Sequence, residues 1–557
     1  MTEKMTRKDF LKQGAASLGT LLLTGALPRR SRAEPSRRAR GTAARPNLLL
    51  ISMDQLRSLA DVPEALPLPS LRGLQRSSRV FRNYHVHQAP CGPSRATIYT
   101  GQHIQKTGMY TNPIGEFGAY SSESPRGVEL PAGFPTLGTM LRAQGYYTAY
   151  KGKWHLSVIN QKLGHDAFPN ATRALEAYGF SDYNYDGEHT GLTWAGFGHD
   201  GVTAAEAVNL LERFAAGATA GKPWFLAVNF VNPHDVMFFD ARGEGTAFAG
   251  MPTLGIPGSA LYEKDWHFEL PRSYRADDLS TKPAVQHPQR PLTEAQLRVY
   301  QNYYFNCIRD VDQHVGTVLN GLDRLGLTRD TIVLATADHG ELGGAHGGML
   351  GKGADIYKET LRVPLMVRHP DVHSSGASDA LVGSVDLVPT LLAFAGLTDA
   401  ERVQRYPALH GIDFGAVVAA ASARTARDVR GILFDYGTPA GGLGPNGPTA
   451  AAGGSVRGLI RGVFDGRYKF GRYFRLTEHH LPRDWETLLA HNDLELYDTH
   501  ADPDELRNLA FHPEEQRGRI LELNAKVNEL IATEIGADDG AMYPGGAARY
   551  ALQPRSS

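Results

Sequence analysis

The chain has 557 residues, and its 58 basic and 59 acidic side chains give a formal net charge of −1. This balance excludes a strongly basic nucleic-acid-binding protein, so any anion site must be a local feature. The length is too great for one compact core, which predicts two or more packed units. Two cysteines exclude a disulfide framework.

The N-terminus is predicted to be an export signal. Basic residues at Arg7, Lys8 and Lys12 precede an uncharged run over 14–27. That run is too short to cross a membrane comfortably and is typical of a signal peptide. It resembles a twin-arginine signal with Lys8 in place of the second arginine. We therefore expect an export signal over 1–33, a basic linker over 34–45, a periplasmic or extracellular location and no stable membrane insertion. An uncleaved N-terminal anchor is the alternative.

Apolar runs that end in polar residues recur along the next part of the chain. They cover 47–53, 224–230 and 331–336, and Asp54, His234 and Asp338 follow them. Such runs are typical of strands buried on both faces. Helical patterns lie between them, at 203–214, 293–325 (expected to be broken or bent) and 385–392. The alternation predicts an α/β domain over 46–420 with a largely parallel sheet, whose ligands bind at the carboxyl ends of the strands.

A smaller antiparallel α+β subdomain is predicted over 421–540, followed by a tail over 541–557. Its expected strands lie at 431–436, 458–463 and 468–474, and an amphipathic helix is expected over 514–531. The last two strands are separated by a turn at Asp465-Gly466. The Gly/Pro-rich stretch 437–454 is predicted to be a surface loop.

The segment 89–97 contains one of the two cysteines and a predicted helix start. Pro93 suits the first turn of a helix, which places Cys91 at the N-terminus, where backbone N–H groups favour an anion. Arg95 lies four residues further on and would add a bidentate anion partner. Taken alone, Cys91 is also compatible with a small buried apolar side chain. Cys307 lies in an apparent helix and is predicted to be a buried thiol, a disulfide with Cys91 being the other possibility.

The residues Cys91, Pro93, Ser94 and Arg95 form a C-x-P-S-R motif. This motif is similar to the nucleophile signature of type I sulfatases in the alkaline-phosphatase-like superfamily, and further motifs in the family's order extend the resemblance from about Pro46 to Ala510. The resemblance implies a large mixed, mostly parallel sheet flanked by helices, with a smaller C-terminal antiparallel subdomain. It also implies hydrolysis of a sulfate monoester. In this family a maturation enzyme oxidises the cysteine to formylglycine, whose hydrate attacks the sulfate sulfur, so Cys91 would be the nucleophile precursor and that enzyme a partner.

The resemblance also implies a divalent metal, calcium first, with magnesium or manganese possible. Its ligands would be Asp54, Asp338 and His339, with the modified Cys91 supplying an oxygen; carboxylate and imidazole groups suit such a cation. Gln55 follows Asp54 where the family more often has aspartate, and its role as a ligand or as a support stays open. The pairs Asp54-Gln55 and Asp338-His339 resemble the choline-sulfatase and phosphonate-monoester-hydrolase branch.

Four further side chains match the family's catalytic motifs. Residues 152–156 match its G-K-W-H-L motif in full, which implies that Lys153 contacts sulfate and that His155 takes a proton when the covalent sulfate hemiacetal is broken. An imidazole with a near-neutral pKa suits that proton transfer. His234 and Lys352 would bind sulfate oxygens and protonate or stabilise the departing alcohol. Asp338 holds the position of a carboxylate that accepts the nucleophile's proton.

Two other functions stay open at this point. A phosphonate monoester or phosphodiester hydrolase on the same scaffold is suggested by Gln55 and His339, although the G-K-W-H-L motif favours a sulfatase. A non-catalytic, metal-dependent binding protein is the third possibility. The sulfate ester would be a small molecule or a saccharide. The resemblance weakens over 183–200, 240–291 and 424–457, where loops would set substrate specificity.

Overall fold

The computed structural model describes residues 45–113, 128–159, 170–189, 193–246, 253–288, 290–372, 375–438 and 456–543. The predicted export signal, the linker up to residue 44, the tail from residue 544 and most of the 437–454 loop lie outside the described residues. Within the described part of the chain, no helix is both long and apolar enough to cross a membrane.

The main sheet has seven strands among the described residues, in the order β4-β5-β1-β6-β7-β2-β8. A two-residue strand, β3, pairs with β9 in a small separate ladder. The bounds of these strands are β1 Asn47–Asp54, β2 Arg79–Phe81, β3 Tyr84–His85, β4 Tyr147–Gly152, β5 Trp224–Pro233, β6 Thr331–Ala337, β7 Leu365–Arg368, β8 Gly376–Ser378 and β9 Val382–Gly383.

The centre of this sheet is parallel. β1 pairs in parallel with β5 on one side and with β6 on the other, and β4 pairs in parallel with β5. The pairs of β7 with β6 and with β2 are antiparallel. Strands β5 and β6 are buried throughout, which explains their uninterrupted apolar sequences, because helices cover both faces of such a sheet. The predicted mixed, mostly parallel sheet is confirmed.

Helices flank the sheet and connect its strands. Those of seven or more residues are Pro69–Arg76, Cys91–Thr100, Leu137–Ala143, Ala195–Ala215, Glu294–Arg324, Leu387–Phe394, Asp399–Arg405, Trp485–His491 and Arg517–Leu530. Shorter helical segments are Ile104–Thr107, Ser273–Ala276, Ala345–Gly348, Lys358–Leu361, Gly415–Ala419 and Arg427–Arg430.

The longest helix, Glu294–Arg324, is continuous, and the break expected in it is absent. Its start is fixed by a capping box, in which Thr293 and Gln296 bind each other's backbone N–H groups. Its glycines serve close packing. A Cβ on Gly316 would lie 2.4 Å from Ser70 Oγ. Glycine at this position therefore lets a neighbouring helix approach closely, while the helix Glu294–Arg324 continues through it.

The C-terminal sheet is antiparallel, in the order β10-β11-β12-β13. Its strands are Ile432–Tyr436, Leu459–Phe464, Tyr468–Phe474 and Asp493–Asp498. The helix Arg517–Leu530 packs on one face through Ile520, Leu523 and Val527 and closes a second apolar cluster. A smaller antiparallel α+β subdomain is thus confirmed as an architecture, and its boundaries at 421 and 540 stay predictions.

Candidate active site

Four adjacent parallel strands deliver polar side chains to one edge of the main sheet. Asp54 is the last residue of β1, and His234 and Asp338 directly follow β5 and β6. Lys153 directly follows β4. Because these strands are neighbours and point the same way, their carboxyl ends meet at a single site, as predicted from the sequence.

Cys91 begins a helix at this edge, as expected, with Pro93 in its first turn. Its side chain is completely buried. Sγ lies 3.6 Å from Asp54 Oδ1 and 3.1 Å from His339 Nε2. Burial and Asp54 raise the pKa of the Cys91 thiol, but Lys153, Lys352 and His339 outweigh them and lower it overall. Both cysteines are free, so the disulfide alternative is excluded.

Asp54, Cys91, Asp338 and His339 form a buried group whose ligand atoms all lie within 4.8 Å of one another. His339 Nδ1–H donates a hydrogen bond to the carbonyl of Gly340 at 2.9 Å, which leaves Nε2 facing the other ligands. Asp338 Oδ1 accepts a hydrogen bond from the N–H of His339, at 2.9 Å. Ligands of one Ca²⁺, each 2.3–2.6 Å from the ion, lie at such separations. The donor set therefore fits a divalent cation.

Lys153 faces this group from the end of β4. Its ammonium forms an ion pair with Asp54, and both side chains are fully buried. Burial raises the pKa of Asp54. The positive charge of Lys153, with that of other basic side chains in the site, outweighs burial and lowers the Asp54 pKa well below its ordinary value. Gly152 makes the turn possible, because its φ is +87° and a Cβ there would lie 1.8 Å from the carbonyl oxygen of Asn229.

His155 and His234 are buried beside Lys153. Burial, followed by the charge of Lys153, lowers the pKa of both imidazoles well below 6.5. Both imidazoles are therefore neutral near pH 7. Glu188 Oε1 accepts hydrogen bonds from the N–H groups of Trp154 and His155, each at 2.6 Å, and fixes the loop. Glu188 is not predicted from the sequence, because nothing in its spacing to residues 152–156 marks it.

Arg95 differs from the expectation of an anion-binding residue. Its guanidinium donates to the Trp154 carbonyl at 2.9 Å, to Tyr150 Oη at 2.7 Å and to Asn229 Oδ1 at 2.8 Å. Its one ion pair among the described residues is with Asp338, at 3.4 Å. Arg95 is buried with its donors occupied by the protein. It therefore supports Asp338 and the Lys153 loop through hydrogen bonds and an ion pair.

Lys352 and Gln55 complete the site. The Lys352 ammonium donates to Gln55 Oε1 and is only partly buried. Gln55 Nε2 donates to Glu341. The Gln55 amide is thus turned towards Lys352 and Glu341, which favours its reading as a support of the site.

The family model Sulfatase matches residues 46–397, more than half of the chain. The chain belongs to the sulfatase family. It is 27% identical over 508 residues to a choline-sulfatase of Rhizobium meliloti (strain 1021), covering 85% of this chain and 84% of that protein. It is 24% identical over 413 residues to an N-acetylglucosamine-6-O-sulfatase of Bacteroides thetaiotaomicron, covering 65% of this chain and 69% of the relative.

Solved structures share the fold. A 2-O GAG sulfatase superposes with a TM-score of 0.62 at 22% identity, covering 88% of this chain and 93% of the other. A phosphonate monoester hydrolase from Silicibacter pomeroyi gives 0.60 at 20% identity, covering 90% and 98%. At this identity the likeness concerns the fold alone. This sulfatase is an enzyme that hydrolyses sulfate esters, as predicted.

Proposed function

We propose that this sulfatase cleaves a sulfate monoester through a formylglycine formed from Cys91, assisted by a divalent cation held by Asp54, Asp338 and His339. The observation that carries the proposal is the convergence of these side chains with Cys91 within 4.8 Å, at the start of a helix. The helix N-terminus favours the negative charge of a sulfate group at the same place.

Calcium is the proposed ion, because two of the three unmodified ligands are carboxylates and calcium prefers oxygen. When bound, the ion would polarise the sulfate and favour the ionised form of the nucleophile. The protein's contribution is the orientation of its ligands. Asp338 is held by backbone N–H groups and Arg95, and His339 is held by the Gly340 carbonyl.

The modified residue 91 would supply an aldehyde hydrate, and a hydroxyl of this hydrate would attack the sulfate sulfur. The hydroxyl is a weak nucleophile and needs a base. Asp338 is the proposed acceptor of its proton. Lys153 would bind a sulfate oxygen while it neutralises Asp54. His155, neutral because it is buried beside Lys153, would take the proton whose removal releases inorganic sulfate.

The departing alcohol lies on the side of His234 and Lys352 in this proposal. Negative charge develops on the ester oxygen as the S–O bond breaks, and fixed cations or proton donors stabilise it. Lys352 is suited to this role because its ammonium is only partly buried, whereas Lys153 is enclosed next to Asp54.

The substrate is proposed to be a small-molecule or saccharide sulfate ester. This proposal is supported by the names of the two relatives above, which refer to choline and to N-acetylglucosamine. A formylglycine-generating enzyme is the proposed maturation partner. Export to the periplasm or extracellular space, through the signal over 1–33, is part of the same proposal.

The test compares kcat/KM for an aryl sulfate, a phosphodiester and a phosphonate monoester, using protein with proven formylglycine and Cys91→Ala as the control. A dominant preference for the sulfate, lost in the variant, supports the proposal. A dominant preference for either phosphorus ester would overturn it in favour of the phosphonate or phosphodiester hydrolase that Gln55 and His339 suggested. Unchanged turnover by Cys91→Ala would contradict the covalent mechanism.

A further inference from the structure

Glu341 is a fully buried carboxylate that the proposed reaction does not use. Its Oε1 accepts hydrogen bonds from the N–H groups of Gly343 and Gly351, both at 2.8 Å, and from Tyr300 Oη at 3.1 Å. Its Oε2 accepts from Gln55 Nε2. Burial, then the Glu341 charge, raises the pKa of Tyr300, which remains a donor. Both oxygens of Glu341 are therefore acceptors in fixed contacts.

These contacts close the loop that leads to Lys352. The N–H of Leu342 donates to the carbonyl of Gly351 at 2.8 Å, and the N–H of Gly344 donates to that of Met349 at 2.8 Å. Gly351, with φ of +73°, directly precedes Lys352. Glu341 thus fixes the backbone from which the Lys352 side chain departs.

Gln55 connects Glu341 to the Lys352 ammonium through its amide. Its Nε2 donates to Glu341, and its Oε1 accepts from Lys352. The Gln55 backbone is fixed as well: its N–H donates to Asp338 Oδ1 at 3.1 Å, and its carbonyl accepts from Tyr304 Oη at 2.8 Å. The amide therefore has little freedom to move away from either partner.

We propose that Glu341 is a positioning residue that, through Gln55, holds the Lys352 ammonium in place for the departing alcohol. This inference rests on the role proposed above for Lys352. A carboxylate only accepts hydrogen bonds and an ammonium only donates them, so the amide between them has a single satisfied orientation. Glu341 sets that orientation by requiring the amide nitrogen on its own side.

Glu341→Gln tests this polarity with almost no change in shape. The new amide keeps an oxygen for Gly343, Gly351 and Tyr300, but its nitrogen then faces the amide nitrogen of Gln55. If Gln55 turns over, its nitrogen faces the Lys352 ammonium instead. In the first orientation the two amide nitrogens oppose each other. In the second, the Lys352 ammonium opposes an amide nitrogen and loses its fixed acceptor.

Gln55→Glu in the Glu341→Gln background restores the order of donors and acceptors. The carboxylate at 55 accepts from the amide at 341 on one side and from Lys352 on the other. The single Gln55→Glu variant instead places two buried carboxylates against each other. A double-mutant cycle over these two positions therefore isolates the proposed connection.

The assay uses mature full-length enzyme and two substrates, an alkyl sulfate with a poor leaving group and nitrophenyl sulfate with a good one. Lys352 assists the departing oxygen, so Glu341→Gln should reduce kcat/KM about 100-fold for the alkyl ester and less than about 10-fold for the aryl ester. The double variant should regain most of the loss. Glu359→Gln, another buried glutamate, bound to His346 at 3.3 Å, is the control and should affect both esters equally.

Equal losses on both esters, or no rescue in the double variant, would overturn the positioning role. Glu341 would then only stabilise the loop that leads to Lys352. A crystal structure of Glu341→Gln separates this inference from the proposed function. It should show the Lys352 ammonium displaced from residue 55 whether or not sulfate esters are turned over, and an unmoved Lys352 would contradict the inference. Failure of the wild-type enzyme on every sulfate ester would instead refute the proposed function.

Discussion

Lys153 places its ammonium against the carboxylate of Asp54, and neither side chain is exposed. Burial lowers the pKa of Lys153, but Asp54 and Cys91 outweigh it and raise the pKa above its ordinary value. The pair joins the end of β4 to the end of β1 at the point where Cys91 and His339 meet Asp54. One lysine thus balances charge in the cation group and faces the proposed nucleophile.

Lys153→Met should cost both stability and activity. The variant leaves the Asp54 carboxylate buried without its partner, a loss of about 3–5 kcal/mol in the free energy of unfolding. Turnover should fall about 100-fold or more, because a fixed cation next to the sulfate is gone. Thermal unfolding and kcat/KM measure the two effects. Lys222→Met, at an exposed position, is the control.

Added Ca²⁺ should recover part of the stability of Lys153→Met, because a bound cation supplies the missing positive charge beside Asp54. A variant that unfolds at the wild-type temperature without added calcium would show that the ion pair contributes nothing to the fold.

Gly152→Ala should disrupt the Lys153 loop far more than Gly108→Ala disturbs its own turn. Both glycines have positive φ, +87° and +74°, so both substitutions strain the backbone. A Cβ at Gly152 also collides with the Asn229 carbonyl, whereas at Gly108 nothing lies within 4 Å. We expect Gly108→Ala to lower the free energy of unfolding by about 1 kcal/mol and to leave turnover unchanged. Gly152→Ala should lose both stability and turnover, and equal losses in the two variants would contradict the structure of this loop.

The sequence predicted the strand ends well, because buried parallel strands have uninterrupted apolar runs and the residues that follow them meet at one edge. Asp54, His234 and Asp338 were found in this way. Supports such as Glu188 and Glu341 were not, since a buried carboxylate that binds backbone N–H groups leaves no periodic signal. For Arg95, the spacing from Cys91 predicted its place on the helix but not its partners. These partners lie on distant strands, which local spacing cannot reveal.

His103 should make the stability of the enzyme depend on pH. Burial alone would lower its pKa, but hydrogen bonds to Asp435 at 3.0 Å and Glu534 at 3.1 Å raise it from 6.5 to about 9. A raised pKa stabilises the folded state. This contribution is complete below pH 6.5 and is lost as the pH rises through about 9. It amounts to about 3 kcal/mol.

His103→Gln removes this contribution. In urea unfolding over a series of pH values, the stability difference between the wild type and the variant should be largest near pH 6 and should shrink steadily towards pH 9. A difference that is constant across that window would mean that His103 does not carry the charge.

Asp338→Asn should weaken cation binding without unfolding the site. An asparagine oxygen can still accept from the N–H of Gln55 and of His339, at the positions now 3.1 and 2.9 Å from Oδ1. One ligand charge is lost, so calorimetric titration should show a calcium affinity lower by about 10-fold or more. A chelator should accordingly lower the unfolding temperature of the wild type more than that of the variant. Equal affinity in both proteins would place the ion elsewhere.

The proposed mechanism requires Cys91 as the precursor of the nucleophile. Peptide mass spectrometry of the fragment containing Cys91, from protein produced with an active maturation enzyme, tests it most directly. We expect a mass loss that matches conversion of the thiol to an aldehyde. An unmodified thiol, in a preparation where a control substrate of the same maturation enzyme is fully converted, would show that Cys91 is not the nucleophile precursor.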